Sequence, residues 1–260
     1  MKLLKTLLTL ACALASVPVF AADAGTLRFG LEAQYPPFES KGANGELQGL
    51  DVDIGKAVCT TAHLTCKWVE TSFDGLIPAL QGRKFDAINS AMNATEKRRQ
   101  AIDFTSVIYR VPTQLIAKTG SGLVPTPESL KGKRVGVLQA SIQETYAKAH
   151  WEGAGVNIVS YQDQNQIYAD LVSGRLDATL VLAPAGQTAF LARPDGKDFS
   201  FVGQPVRDDK LLGSGIAFGL RKGDTALLDQ LNAAIAKVQA DGTVKTLAQK
   251  YLGNIDVSPK

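Results

Sequence analysis

Asp86–Arg99 reads D-A-I-N-S-A-M-N-A-T-E-K-R-R. Ala87 and Ile88 predict the end of a buried strand. Asn89, Ser90 and Asn93 then open the chain into small polar residues, and Thr95 offers a side-chain oxygen at the start of a helix. Glu96 stands in the first turn, where its charge suits the positive end of the helix dipole, and Arg98 follows close behind. A strand that breaks into small polar residues and then a capped helix presents free backbone N–H groups. An arginine beside them adds a bidentate donor, so the stretch has the chemistry of a carboxylate or phosphate pocket. It also fits an ordinary strand–turn–helix with a solvated arginine, and the stretch alone leaves both readings open.

Working outward, the same order of elements recurs on both sides. Leu27–Leu31 (L-R-F-G-L) predicts a strand that ends at Glu32. Two successive prolines, Pro36 and Pro37, then force an extended loop that displays Glu32, Tyr35 and Phe38. Residues 39–49 read as a turn with Asn44-Gly45 at its tip. Leu50–Ala62 has helical periodicity, Cys66–Val69 is strand-like, and Phe73–Leu80 begins another helix with Asp74 as its candidate cap. Strands alternating with helices predict an α/β fold with a mainly parallel sheet and helical crossovers.

Past Arg99 the character changes. Tyr109–Lys118 is extended around Pro112 and predicts a strand passing into a second lobe. Arg134–Leu138 (R-V-G-V-L) is a strand, and the helix after it opens with Ser141 and Glu144 at capping-box spacing. This is the opening pattern again: strand, small polar loop, helix N-terminus. Val156–Tyr161 and Leu176–Leu182 predict strands, with a helix over Asn165–Ser173 between them. Phe199–Val206 is extended, Asp208–Lys210 a polar turn, and Gly215–Leu220 a strand. Thr225–Leu252 reads as two helices joined at Asp241-Gly242. The run G-S-G-I-A-F-G at 213–219 lies in no strand-to-helix turn, so it is not read as a dinucleotide fingerprint and no cofactor is expected.

The first 21 residues carry a basic start (M-K-L-L-K), an apolar run and small residues before Ala22, the pattern of a cleaved secretory signal peptide. Pro18 and the short run argue against a membrane anchor, and Thr9 stands where a lipoprotein signal ahead of Cys12 needs an aliphatic residue. Removing residues 1–21 takes Lys2 and Lys5 with it, leaving 26 of 28 basic residues against 25 acidic ones. That balance argues against nucleic acid or an anionic membrane as the main partner. Cys59 and Cys66 remain, and an oxidising compartment favours a local disulfide between them. His63 lies between the two, but no second ligand pair exists elsewhere, so no metal site is expected.

Several spaced motifs are familiar in this order: G-L-E-A-Q-Y-P-P-F at 30–38, F-D-G-L-I-P-A-L at 73–80, D-A-I-N-S-A-M-N-A-T-E-K-R at 86–98, L-K-G-K-R-V-G-V-L-Q-A-S-I-Q-E at 130–144, S-G-R-L-D-A at 173–178 and D-G-T-V-K-T-L-A-Q-K-Y at 241–251. Across essentially the whole mature chain the sequence resembles the solute-binding proteins of bacterial amino-acid ABC transporters, most closely the lysine/arginine/ornithine- and histidine-binding group. The cysteine pair also falls where that group carries one. The resemblance implies the two-lobed type II periplasmic-binding-protein fold, with residues 22–111 and 207–260 in lobe one and 112–206 in lobe two. It puts hinges near Arg110–Thr113 and Pro205–Gly213, and closure of the lobes on a ligand. It implies a periplasmic monomer that hands an amino acid to an inner-membrane permease.

The same resemblance assigns a site. Arg98 matches the arginine that grips the ligand carboxylate, and Ser90, Ala91 and Asn93 match the polar residues at the strand end. Ser141, Ile142 and Gln143 match the helix start of the second lobe, with Leu138 closing the strand before it. Tyr35 and Phe73 match the aromatic walls, and Glu32 the acid that reads a basic side chain. Three departures stand out. Ala91 and Ile142 lack hydroxyls common in the family, although their backbone N–H groups are expected to serve. Leu182 stands where the family usually presents an aspartate to the ligand's α-ammonium, and a buried ammonium without an anion is costly. An N-substituted amino acid such as an opine, or another guanidino compound, is therefore the alternative ligand. An enzyme on the same scaffold, dehydratase-like or acting on cell walls, is a remote alternative: His63 and His150 fall outside the expected cleft and no acid–base pair accompanies Glu32. A sensor input would call for a fused kinase or a further transmembrane helix, and the chain carries no sign of either.

Overall fold

The computed structural model describes residues 25–255 and Val257. The signal peptide expected at 1–21 lies outside the described residues. Among them, no helix is long and apolar enough to cross a membrane.

Two five-stranded sheets organise the chain. In the first, the order is Thr65–Glu70, Thr26–Leu31, Ala87–Ile88, Gly219–Arg221 and Ile102–Phe104. The first three run parallel, and Gly219–Arg221 is antiparallel to both its neighbours. In the second, the order is Asn157–Tyr161, Arg134–Leu138, Ala178–Leu182, Thr113–Lys118 and Phe199–Val206, parallel over the first three and antiparallel over the rest. Parallel neighbours need crossovers, and helices supply them. Leu50–Thr61 buries Leu50, Ile54 and Val58 at four-residue spacing against the first sheet, where the Phe29 ring stacks on Trp68 at 5.2 Å and meets Phe218 at a tilt at 4.9 Å. Ile142–His150 does the same for the second sheet through Tyr146 and Ala147. Burying each large apolar side chain contributes about 1.5–3 kcal/mol. The disulfide Cys59–Cys66 ties the end of the first helix to the strand that follows it.

Close packing explains Gly30. A Cβ there would meet the Phe85 ring at 2.3 Å, so only glycine lets this strand lie against it. The strand then delivers Glu32 at its end. Residues 34–48 form a small antiparallel sheet, Gln34–Tyr35, Glu39–Lys41 and Leu47–Gln48, with Gly45 at positive φ in the expected tip. Several boundaries differ from expectation. Asp74 caps nothing: a 3-10 turn over Phe73–Gly75 leads into Leu76–Gln81 without a side-chain cap. Asp209–Leu212 is a one-turn helix capped by Asp208, not a bare turn. Ala183–Gly186 and the π turn Gln187–Leu191 had no sequence signal.

The chain crosses between the sheets twice, side by side. Leaving Ile102–Phe104 it pairs Tyr109 with Ile216 and then enters Thr113–Lys118. Returning from Phe199–Val206, where Val206 pairs with Thr113, it passes Asp209–Leu212 and reaches Ile216. Gly213 on this return sits at φ 80°, and a Cβ there would strike the Ala94 carbonyl at 2.4 Å. The carboxyl ends of both sheets' strands thus face each other across one cleft, the position where open α/β sheets bind ligands.

Candidate functional site

Residues from both lobes close around a narrow cavity of about 20 Å3. Tyr35, Phe73, Ala91, Asn93 and Arg98 line it from the first lobe, and Leu138, Ser141, Ile142, Gln143 and Leu182 from the second. Of the twelve residues that the resemblance assigns to the site, only Glu32 and Ser90 are not on its wall, and Phe38, expected on the loop surface, is fully buried. A volume of that size holds about one water, so an amino acid enters only when the lobes part. Hydrogen bonds tie the lobes across the cleft: Arg98 Nη2 donates to the Ala140 carbonyl at 2.9 Å, Asn165 Nδ2 to Gln34 Oε1 at 3.2 Å, and Gln162 Nε2 to Asp74 Oδ2 at 3.5 Å.

Arg98 is reached from the opening stretch as its sequence predicts. Thr95 Oγ1 accepts the Arg98 N–H at 3.2 Å and starts the four-residue helix Glu96–Arg99. The guanidinium then turns inward over the Phe73 ring, 5.4 Å from its centroid. Its Nη1 donates to the Asn93 carbonyl at 2.9 Å, and its Nη2 to Ala140 as above. Among the described residues no carboxylate pairs with it, and burial pushes its pKa down to about 10. A buried cation satisfied only by neutral carbonyls is a standing site for an anion.

The facing jaw is the start of the helix Ile142–His150. Ser141 Oγ accepts the Glu144 N–H at 3.0 Å, as the capping spacing predicts. Glu144 reaches back to the Ala140 N–H at 2.7 Å, one residue short of the expected box partner. Ile142 and Gln143 open the helix, so their N–H groups have no acceptor within it, and both residues line the cavity. Gln143 Nε2 is held by Thr113 Oγ1 at 3.1 Å.

Ala91 departs from expectation. Its N–H is not free for a ligand but donates to Asp51 Oδ2 at 2.5 Å. Ala91 sits at φ 42° and Ala140 at φ 60°, left-handed conformations that cost a non-glycine residue about 1 kcal/mol or more each. Both lie in the loops that face each other across the cavity. Ser90 stands behind the wall: its hydroxyl donates to Glu39 Oε1 at 2.8 Å and accepts the Glu32 N–H at 3.0 Å. Asp51 Oδ1 also accepts the Tyr109 hydroxyl at 2.5 Å. Glu39 and Asp51 thus form a buried acid pair under the loop. Burial raises both, and Glu39, with Oε2 unbonded and Asp51 beside it, rises well above the usual carboxylate range. Sequence reading placed Asp51 in a helix's first turn and gave Glu39 no role.

Glu32 lies on an adjoining cavity of about 280 Å3, together with Gln34, Gln162 and Asp163. It is 6% exposed, and among the described residues its carboxylate has no hydrogen bond or ion pair. Burial first, then the charges of Asp163 and Asp74, lift its pKa to about 8. On the other side of Arg98 a third cavity carries Lys97 and Lys210. The cleft is therefore polarised, cationic toward Arg98 and anionic toward Glu32. His63 and His150 are on none of its walls, and among the described residues no cluster could hold a metal ion.

Residues 27–254 match the family described as bacterial extracellular solute-binding proteins, family 3. The chain belongs to that family. It is 46% identical over 252 residues to the histidine-binding periplasmic protein of Escherichia coli K12, covering 96% of this chain and 97% of that protein. It is 44% identical over 251 residues to the L-arginine-binding protein of Pseudomonas aeruginosa, covering 96% of each. Among solved structures, an ancestral arginine-binding protein bound to arginine superposes with a TM-score of 0.81 at 31% identity, covering 89% of this chain and 100% of that one. The family-3 solute-binding protein described here is thus a type II periplasmic binding protein in fold, and its relatives bind solutes rather than transform them.

Proposed function

We propose that this solute-binding protein captures a cationic amino acid of the arginine, lysine, ornithine or histidine type by closure of its lobes, and delivers it in the periplasm to an inner-membrane ABC permease. Residues 22–111 and 207–260 form one lobe and 112–206 the other, and the crossings at Arg110–Thr113 and Pro205–Gly213 act as hinges. Arg98 with the Ile142 and Gln143 N–H groups takes the carboxylate, Tyr35 and Phe73 flank the side chain, and Glu32 takes its cationic end. One observation carries this reading: among the described residues, Arg98 is buried with no carboxylate, while Glu32 is buried with no cation. A ligand bearing both charges matches both groups at once. A thermal-shift panel of basic amino acids, opines and guanidino compounds tests it, because a ligand of the native state raises the melting temperature with its occupancy. No shift from any cationic compound would sink the assignment of Glu32.

The raised Glu32 pKa gives this reading a pH signature. A cation docking beside Glu32 favours its carboxylate, so binding below pH 8 expels a proton. Affinity for arginine or lysine should therefore rise with pH up to about 8, by at most about tenfold per unit. Calorimetry near pH 6.5 in buffers of different ionisation enthalpy should detect proton release that Glu32→Gln removes. Release that survives this substitution would assign the proton elsewhere.

A second reading is favoured by Leu182. It is buried on the cavity wall at the end of its strand, and none of the ten lining residues is acidic. An α-ammonium there has no anion, whereas an N-substituted amine brings an apolar group that Leu182 can pack against. Leu182→Asp should shift preference toward free arginine or lysine over octopine-like N-substituted compounds by about tenfold or more, the effect of one added charge pair. Competition binding against both ligand types measures this, and unchanged selectivity would remove Leu182 from the site.

A further inference from the structure

The cavity beside Glu32 draws on both lobes, with Glu32 and Gln34 from the first and Gln162 and Asp163 from the second. At about 280 Å3 it has room for several waters or the end of a long side chain. Two lobe-to-lobe hydrogen bonds fix Asp163 in place from either side in the sequence, Gln162 to Asp74 and Asn165 to Gln34. Asp163 Oδ1 accepts the Asn165 N–H at 2.7 Å and caps the helix Gln164–Val172. Its second oxygen has no hydrogen bond among the described residues. Glu32 is nine-tenths buried, lines the same cavity and, among the described residues, is unpartnered. Asp74 adds a third carboxylate from the first lobe, held by Gln162. The one cationic side chain on the cavity wall, Lys41, is half-exposed and already paired with Glu70 at 2.8 Å. Closing the lobes therefore sets Asp163 against Glu32 with no positive charge of the protein's own between them, and like charges in a shared buried site repel.

We propose that Asp163 is a specificity-determining residue, gripping the ligand's cationic head from the lobe opposite Glu32, and that the two carboxylates together select a guanidinium over an ammonium. This rests on the cationic-amino-acid reading above. A guanidinium is flat and carries five N–H donors around its rim, so it bonds carboxylates on two opposite edges at once. An ammonium is a compact, strongly hydrated charge with three donors on one end, and an imidazolium offers only two. The cation thus joins the lobes at the Glu32 end as the carboxylate does at Arg98.

Calorimetric titration of the protein with L-arginine and L-lysine tests the proposal, comparing wild type with Asp163→Asn, Asp163→Ser and Arg98→Ala. Asparagine and serine both retain the helix cap. Each should weaken arginine binding about tenfold or more, the worth of one charge-assisted hydrogen bond, and narrow the preference for arginine over lysine at least fivefold. Equal loss for the two ligands, or no loss, overturns the role of Asp163. If wild type binds arginine and Arg98→Ala abolishes it while both Asp163 variants bind as wild type, the Asp163 proposal fails alone. Wild type binding neither ligand overturns it together with the reading on which it rests.

Discussion

Arg98→Ala is expected to weaken capture of arginine or lysine about thirtyfold to several-thousandfold while leaving both lobes folded. The range follows from removing one partner of a buried charge pair, which costs about 2–5 kcal/mol. The guanidinium is already desolvated and oriented, held by the Asn93 and Ala140 carbonyls and the Phe73 ring, so a carboxylate finds its donors in place. Neither carbonyl neutralises the charge. The ligand carboxylate supplies what the protein lacks, and its gain is correspondingly large. Truncation also removes the hydrogen bond to Ala140, a direct tie between the lobes. Arg98→Lys should fall between, because it retains a charge but loses the planar fork. Calorimetry and far-ultraviolet circular dichroism measure the two effects. Affinity within threefold of wild type in Arg98→Ala would place the anion grip elsewhere.

The cap at Thr95 was legible because its hydrogen bond spans three residues, a distance that sequence spacing encodes. The cap at Ser141 was legible for the same reason. The parallel part of each sheet followed from alternating strands and helices, and parallel pairing brings the carboxyl ends of strands to one edge. What Arg98 does inside the fold was not legible from its stretch. Its acceptor on Ala140 lies 42 residues away on the other lobe, and nothing local signals it. The same holds for Asp163, which caps a helix and is set beside Glu32 only by the cleft. Ala91 shows the limit most clearly. Its N–H was expected to face a ligand, but a left-handed backbone turns it to a carboxylate 40 residues upstream.

That carboxylate carries the second large effect. Asp51→Ala should lower the unliganded protein's stability by about 2–6 kcal/mol, since it strands two buried donors at about 1–3 kcal/mol each. The donors are the Ala91 N–H and the Tyr109 hydroxyl, both now bonded to Asp51. Without its acceptor, the positive φ of Ala91 has nothing to hold it, and the loop should relax away from the cavity wall. Tyr109 pairs with Ile216, and Ile216 also bridges Asn93, so the same loss reaches the crossing between the lobes. Ligand affinity should therefore fall together with stability, although Asp51 lines no part of the cavity. Asp51→Asn separates the two contributions of this residue. Its amide oxygen can still accept from Ala91, its NH2 can donate to the Tyr109 oxygen, and the repulsion with Glu39 disappears. Asparagine should thus retain most of the stability that alanine loses. Thermal unfolding of the two variants decides the matter, with about 2–4 °C expected per kcal/mol for a chain of this length. Equal losses for alanine and asparagine would mean that the charge, and not the pair of accepted hydrogen bonds, holds the loop.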